Sequence, residues 1–159
     1  MLTLLGITIF VLAILASIGL HELGHLMPAK RFGVKATEYF VGFGPTVWST
    51  RRGETEYGLK AIPFGGYVRM IGMFPPRPDG TVRSSSTGRL GLLVEQARKE
   101  SEADVLTEED RKRTFYNLSV PKKLTVMFGG PVMNLLIAVL LFTVMFVGFG
   151  LPAPSLTVA

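Results

Sequence analysis

The chain has 159 residues, of which 48% are hydrophobic and only 18% are charged, with a formal net charge of +5. The length corresponds to one modest domain, whereas the hydropathy is that of a membrane protein rather than a soluble one. The absence of cysteine excludes disulfides and thiolate metal ligands. Apart from Glu22, every Asp, Glu, Lys and Arg lies between Lys30 and Lys123. The composition therefore predicts two apolar ends around one charged middle.

The first apolar end predicts a transmembrane helix over residues 1–28. Residues 2–20 contain no charge, and as a helix they would span about 28 Å, close to the hydrocarbon thickness of a bilayer. Pro28 indicates a kink or the approach of the helix end, and Gly33 indicates that the helix ends there. A cleaved signal peptide is the alternative, but it would have a basic beginning and a shorter apolar core. The first four residues contain no Lys or Arg.

An HExxH motif follows directly on this apolar run. His21 and His25 are one helical turn apart, so both imidazoles project from one face and can share a metal ion. Glu22 is then placed to act on water at the metal. A chance HExxH on a soluble helix is the alternative, but polar groups at the edge of hydrocarbon are by default functional. Two neutral imidazoles on a common face suit zinc.

Residues 29–74 are rich in aromatic and β-branched side chains and predict a small membrane-associated β-sheet. Residues 38–50 and 55–62 are the predicted strands, with a turn at 51–54 between them. Residues 63–67, which include Pro63 and two glycines, are expected to break the second strand before residues 68–71. Soluble hairpins use the same residue types, so the membrane association is a hypothesis.

Residues 75–120 predict a cytoplasmic loop with short helices. Residues 75–87 are typical of a flexible loop, and residues 90–102 predict an amphipathic helix. Residues 107–110 resemble a capping box for a second short helix towards Tyr116. The predicted role is a solvated or membrane-surface cover or a mobile insert, without chemistry of its own.

A second transmembrane helix is predicted over residues 121–151, and residues 152–159 begin an extracytoplasmic segment. Residues 128–131, Phe-Gly-Gly-Pro, introduce its apolar run and permit close approach of another helix. Asn134 is the one strongly polar side chain in that run. It either forms an interhelical hydrogen bond, worth about 1 kcal/mol, or lies against the metal site or the substrate backbone. Both interpretations stay open.

Basic residues near the helix ends predict the orientation of the chain. Lysine and arginine follow the first helix and precede the second, at Lys30, Arg31, Lys35, Lys122 and Lys123, and the opposite ends have none. The positive-inside rule therefore predicts a cytoplasmic middle segment and two extracytoplasmic termini. Attraction to anionic lipid is enough to explain the net charge, so no nucleic acid is expected as a partner.

Taken together, these residues resemble the site-2 protease family of intramembrane zinc metalloproteases, in its bacterial branch that cleaves anti-sigma factors. The combination of motifs in this order is far more specific than HExxH alone, and the stretch from Tyr39 to Tyr57 resembles the actinobacterial members most. The matching pieces are His21-Glu22-Leu23-Gly24-His25, Phe40-Val41-Gly42-Phe43-Gly44-Pro45, Arg52-Gly53-Glu54-Thr55-Glu56-Tyr57, Pro63-Phe64-Gly65-Gly66-Tyr67 and Gly130-Pro131-Val132-Met133-Asn134.

The resemblance implies a zinc ion on His21 and His25, with Glu22 as the catalytic base, in a bacterial plasma membrane. It also implies that residues 38–71 engage the substrate, a single-pass membrane protein such as an anti-sigma factor. An unwound transmembrane segment must pair its backbone within protein, and a strand edge supplies such pairing. The residues expected to bind substrate or support the site are Gly42, Phe43, Gly44, Gly65, Gly66 and Asn134.

The chain departs from the family pattern at the third zinc ligand, which family members supply as an aspartate on a later transmembrane helix. No Asp or Glu follows Asp110, so the chain is expected to be the N-terminal portion of the protease and inactive alone. Asp79, Glu38 and Glu54 are substitutes that nothing in the sequence distinguishes. Two alternatives remain: a non-catalytic membrane module that binds a peptide or partner, and a tethered metallopeptidase acting on soluble substrates.

Overall fold

The computed structural model describes residues 1–73 and 107–150, apart from the side chain of Phe149. The helix predicted at 90–102 and the segment 152–159 lie outside the described residues. The elements in chain order are helix α1 (Leu2–Arg31), strands β1 (Ala36–Arg52) and β2 (Thr55–Met70), helix α2 (Glu108–Lys112), a 3-10 turn (Phe115–Asn117) and helix α3 (Val120–Phe149).

Helices α1 and α3 are both long and apolar enough to cross a bilayer. Most of their large apolar side chains are exposed in the isolated chain, as expected of surfaces that face lipid rather than a protein core. Pro28 lies inside α1, which continues to Arg31. Together with the family described below, the two helices indicate a membrane protein.

Helix α3 begins earlier than its apolar run. It starts at Val120, with a proline in its first turn, where the missing N–H has no helical partner to lose. Residues 129–131, expected to introduce the apolar part of the helix, lie well inside it. Glycine is tolerated there because it brings the backbone of α3 against α1, as described below for Gly129.

Strand β2 is continuous from Thr55 to Met70, so the predicted break at 63–67 is wrong. The partner of Phe43 on β2 is Ile62, while the partner of Val41 is Gly66. Two residues along β1 therefore face four along β2, which is a bulge rather than an end of pairing. The irregular residues bend the strand without removing it from the sheet.

The two long strands bend back on themselves, so residues 38–41 are paired on both sides. They pair with residues 66–69 on one side and with residues 56–59 on the other. Gly42 makes the bend in β1 with a φ of 95°, a value that L side chains rarely adopt. Among the described residues, 66–69 pair only with 38–41, so this segment is an edge of the sheet.

The sheet lies along the second half of α1. The Tyr39 hydroxyl donates a hydrogen bond of 2.6 Å to the Gly19 carbonyl, and Gly66 lies against Ile18 and Glu22. The sheet therefore runs back from the end of α1 towards the middle of that apolar helix. Its far end exposes large apolar side chains, namely Phe43, Val47, Trp48, Ile62 and Phe64.

The hydrophobic core sits where the end of α1, the base of the sheet and the start of α3 meet. Every one of these elements contributes at least one buried apolar side chain, and the 3-10 turn contributes another. The members are Leu26, Ala29, Val34, Ala36, Met70, Phe115 and Val126. This core adjoins the HExxH motif, because Leu26 directly follows His25.

Residues 107–118, called here the return segment, tie the chain back to the sheet before α3 begins. The Thr107 side chain accepts a hydrogen bond of 3.1 Å from the Asp110 backbone N–H, which confirms the predicted cap. The helix it starts ends at Lys112 instead of reaching Tyr116. The backbone N–H groups of Phe115 and Tyr116 instead donate to carbonyls just beyond the end of β2. Phe115 N–H donates to the Ile71 carbonyl at 3.0 Å.

Two ion pairs hold the return segment in place. Arg113 donates from both terminal nitrogens to the Glu54 carboxylate, at 2.6 and 2.7 Å. Lys35 Nζ donates to the buried carboxylate of Asp110 at 2.7 Å. These hydrogen bonds lower the pKa of Glu54 and of Asp110 below their ordinary values. Both carboxylates are therefore charged at neutral pH, when the pairs are intact.

Candidate metal centre

Helix α1 brings the two histidines together as the motif predicts. His21 Nε2 and His25 Nε2 are 3.3 Å apart, and their rings are nearly perpendicular, at 79°. Two nitrogens on one tetrahedral zinc ion, each about 2.0–2.1 Å from it, are separated by about 3.3–3.4 Å. The separation therefore fits a shared zinc ion.

A backbone carbonyl of α3 orients one of these rings. The second ring nitrogen of His25, Nδ1, lies 2.8 Å from the Val126 carbonyl oxygen. A carbonyl only accepts, so Nδ1 carries the proton and Nε2 keeps its lone pair for a metal. His21 Nδ1 is buried and has no hydrogen-bond partner among the described residues. Only the His25 ring is thus fixed by protein within this part of the chain.

Gly130 of α3 leaves open the space in front of the two nitrogens. A Cβ atom at this position would overlap His25 Nε2 and would lie 2.6 Å from His21 Nε2. Any side chain there would compete for the space that a metal ion on the two histidines requires. Glycine at 130 therefore fits a metal centre at this crossing.

The two helices touch through a reciprocal glycine contact next to the histidines. A Cβ on Gly24 would overlap the Gly129 carbonyl oxygen, and a Cβ on Gly129 would overlap that of Gly24. Pro28 has no N–H, so the Gly24 carbonyl lacks its usual helical partner and can face the other helix. Small residues at such crossings allow close approach of helices in membranes.

Glu22 lies on the side of α1 that faces the sheet. A Cβ on Gly66 would be 2.9 Å from Glu22 Cγ, so the sheet edge and this carboxylate are immediate neighbours. Glu22 and His25 both line a cleft of about 320 Å³. A carboxylate beside a metal-ligand pair, at the wall of an open cleft, can exchange protons with water or with a substrate placed there.

The other predicted site residues in the sheet contact the sheet itself. Gly42 adjoins the backbone of Lys60 and Ile62, and Gly44 adjoins the Ile62 side chain. Gly65, with a φ of 96°, lies under the Phe43 ring, and that ring stacks on Tyr67. Their assignment as substrate-binding residues stays a prediction, whereas their observed contacts shape the bends of the sheet.

Asn134 is exposed on α3, one turn beyond Gly130. Its side chain forms no hydrogen bond to any residue within 1–73 or 107–150. Neither an interhelical hydrogen bond nor a hydrogen bond to the histidines is therefore seen within the described chain. Its predicted role in binding substrate stays a prediction.

The candidate third ligands are engaged elsewhere or lie outside the described residues. Glu38 accepts hydrogen bonds from the Tyr67 hydroxyl at 2.7 Å and from Arg69 at 3.3 Å, and Glu54 is paired with Arg113. Asp79 is outside the described residues. Across 1–73 and 107–150, no group of three His, Cys, Asp or Glu residues could hold a metal ion. The described centre therefore supplies two protein ligands.

Two residues near the motif were not foreseen. Tyr39 anchors the sheet to α1, and burial, followed by the nearby charge of Glu22, raises the pKa of its hydroxyl. It therefore stays protonated and donates to Gly19. Val126 contributes through its carbonyl, a group that every residue has, so no side-chain pattern could have identified it. Tyr39 lay within the predicted strand 38–50, but nothing in its spacing distinguished it from its neighbours.

Paired imidazoles, an adjacent carboxylate and two apolar helices are together typical of a membrane-bound zinc peptidase. Peptidase family M50 matches residues 9–157. The chain therefore belongs to peptidase family M50, the site-2 protease family, which confirms the resemblance seen in the sequence.

The chain is similar to curated zinc metalloproteases of several bacteria. It is 42% identical to the zinc metalloprotease Rip1 of Mycobacterium tuberculosis, over 96% of this chain and 31% of that protein. It is 40% identical to Rip1 of Mycolicibacterium smegmatis over 93% of this chain and 31% of that protein. A putative zinc metalloprotease of Brucella suis is 36% identical over 89% of this chain and 32% of that protein. The chain spans about a third of the length of these relatives, each of which is named as a zinc metalloprotease.

Proposed function

We propose that this chain supplies the zinc-binding and substrate-guiding part of an intramembrane protease. The observation that carries the proposal is the 3.3 Å separation of His21 Nε2 and His25 Nε2, with Glu22 at the adjoining cleft. Catalytic zinc sites have three protein ligands, so the third is supplied from outside the described residues. The expected substrate class is a single-pass membrane protein, and an anti-sigma factor is the candidate that the family resemblance favours.

The residues of this chain divide the chemistry among them. Bound zinc supplies Lewis-acid chemistry that activates water and polarises the peptide carbonyl. Glu22 accepts the proton of the attacking water and returns it to the leaving amine. Val126 holds the His25 ring in position through its carbonyl.

The sheet edge next to Glu22 supports a role in holding the substrate. A transmembrane helix hides its peptide bonds, so it must unwind before hydrolysis, and its freed backbone groups then need partners. Residues 66–69 form an edge of the sheet, and Gly66 lies against Glu22. A substrate strand added to that edge would place its peptide bonds beside the catalytic carboxylate.

The position of the basic residues supports the proposed orientation. Lys30 and Arg31 are in the last turn of α1, and Lys122 and Lys123 are in the first turn of α3. Those two helix ends meet at the core, so all four charges belong to one side of a bilayer. By the positive-inside rule we assign that side, with the sheet base and the return segment, to the cytoplasm.

Cleavage by the full-length protein, reconstituted in vesicles with a single-pass substrate, tests the proposal. Glu22→Gln should lower the rate by at least about 100-fold, because it removes the proton acceptor, and should leave zinc bound. The matched control is Glu108→Gln, since that carboxylate is 84% exposed on α2, and it should cleave normally. Undiminished cleavage by Glu22→Gln would refute the assigned role.

A non-catalytic binding module is the second candidate, favoured by the two-ligand centre of the described residues. In this case the sheet edge would capture a peptide or partner without hydrolysis. Binding would then survive removal of zinc with a chelator, and no cleavage product would form. The same reconstituted assay therefore separates the two candidates.

A further inference from the structure

The cleft beside Glu22 and His25 extends beyond the groups that the proposed chemistry needs. Its volume is about 320 Å³. Among the described residues that line it, only Glu22, His25 and Tyr67 bring polar side chains, and the others are apolar or glycine. Those residues are Gly66, Val68, Met70, Met73, Phe115, Val126 and Met127.

Four separate parts of the described chain line this cleft, and α1 is one of them, through Glu22 and His25. The sheet edge forms one wall, and Met127 of α3 forms another. Phe115 of the 3-10 turn also lines the cleft and is itself only 7% exposed. It reaches the cleft because its backbone N–H is bonded to the Ile71 carbonyl, just beyond the end of β2. Several elements therefore form the pocket together, and it is not merely a gap between two helices.

We propose that this cleft is a specificity pocket, which holds one large apolar side chain of the substrate next to the bond that is cut. The inference rests on the proposed protease function and names what the same site selects. Successive side chains of an extended strand point to opposite sides. A strand paired with residues 66–69 therefore directs alternate side chains into the cleft, while its backbone passes Glu22.

The cleft is large enough for a whole leucine, methionine or phenylalanine side chain. An apolar cavity of about 150 Å³ holds a benzene molecule, and this cleft is about twice that volume. Met70, Met73 and Met127 are flexible and polarisable, so the pocket adapts to several apolar shapes. A charged side chain is excluded because most of the lining offers it no hydrogen bond.

Competition between substrates that differ at the residue beside the cut bond tests the pocket in the full-length protein. Leucine at that residue should exceed alanine in kcat/KM by about 10- to 100-fold, the range seen for apolar pockets. Met127→Trp should remove most of that preference by filling the pocket. The matched control is Phe128→Trp, because Phe128 is the next residue, is 61% exposed and does not line the cleft. It should keep the preference.

Disulfide cross-linking tests the pocket without any turnover. The 159 residues contain no cysteine, so Met127→Cys can be introduced together with Glu22→Gln. A substrate with one cysteine beside the cut bond should cross-link to it, and should not cross-link to Phe128→Cys. Equal cross-linking of the two variants would overturn the proposal, as would an unchanged leucine preference in Met127→Trp.

These outcomes separate failure of the pocket from failure of the protease function. If the wild-type protein cleaves, Glu22→Gln does not, and the pocket variants leave the preference unchanged, only the pocket is refuted. If an acyl chain of lipid fills the cleft instead, Met127→Trp changes no substrate preference and Met127→Cys forms no cross-link. If the wild-type protein cuts nothing, the protease function fails, and cross-linking still decides whether substrate enters the cleft.

Discussion

The two ends of the helix pair differ both in composition and in surroundings. At one end α1 and α3 meet through Gly24 and Gly129, with the histidines and the core beside the contact. At the other end, residues 2–13 and 139–148 are exposed throughout. The exposed end carries apolar side chains without charge, whereas glycines, histidines and charged groups mark the end where the helices touch. The paired histidines lie at this contact, where α3 orients the His25 ring through the Val126 carbonyl.

Adding a methyl group at the helix contact should have the largest effect on stability and zinc content. Gly24→Ala places a Cβ on the Gly129 carbonyl, so the helices must move apart, at a cost of about 1–3 kcal/mol or more. The His25–Val126 hydrogen bond should break with the contact, and zinc content should fall. Thermal unfolding in detergent and zinc analysis of the full-length protein measure both effects.

Gly6→Ala is the matched control at the exposed end of α1. Nothing lies within 4 Å of a Cβ at that position, and alanine is favoured over glycine in a helix by about 0.5–1 kcal/mol. The variant should therefore be as stable as the wild type or slightly more so, with full zinc content. Equal losses in the two variants would show that the glycine contact has no special role.

A smaller effect is expected at the ion pairs of the return segment. Glu54→Gln removes one partner of Arg113, and because the Glu54 side chain is 49% exposed, the loss should be below about 1 kcal/mol. Hydrogen exchange of residues 113–118 measures it. Glu108→Gln, in the same region but more exposed, should change the hydrogen exchange of these residues less.

The pH dependence of this effect has a definite sign. The pKa of Glu54 is lowered by Arg113 from its ordinary value of 4.5, so the pair stabilises the folded chain at pH values above 4.5. That stabilisation is lost as the pH falls through the lowered pKa. The difference between wild type and Glu54→Gln should therefore vanish in acid, and a difference that grows in acid would contradict the pairing.

The sequence identified those features that depend on local pattern. The apolar runs, the spacing of His21 and His25, and the cap at Thr107 each rest on neighbours within a few residues. The contribution of Val126 and Phe115 could not be predicted, because each meets the site through contacts with residues far away in the chain. The continuity of β2 was also missed, since Pro63 and its glycines signal a break locally while pairing with β1 holds the strand together.

Tyr67 also illustrates how the tertiary contacts refine a motif. It lies in one of the motifs that carry the family resemblance, yet its role depends on Glu38, which accepts a hydrogen bond of 2.7 Å from the Tyr67 hydroxyl. Burial and this hydrogen bond raise the pKa of Tyr67 to about 12. The ring therefore stays neutral at the cleft wall over the whole range in which the protein would work.

X-ray absorption at the zinc edge of the full-length protein tests the central claim most directly. The account predicts two imidazole nitrogens from this chain at about 2.0–2.1 Å from zinc. His25→Ala should lose one of them or lose the metal. Zinc that keeps its coordination after both His21 and His25 are replaced would contradict the account, because these are the only histidines in the 159 residues.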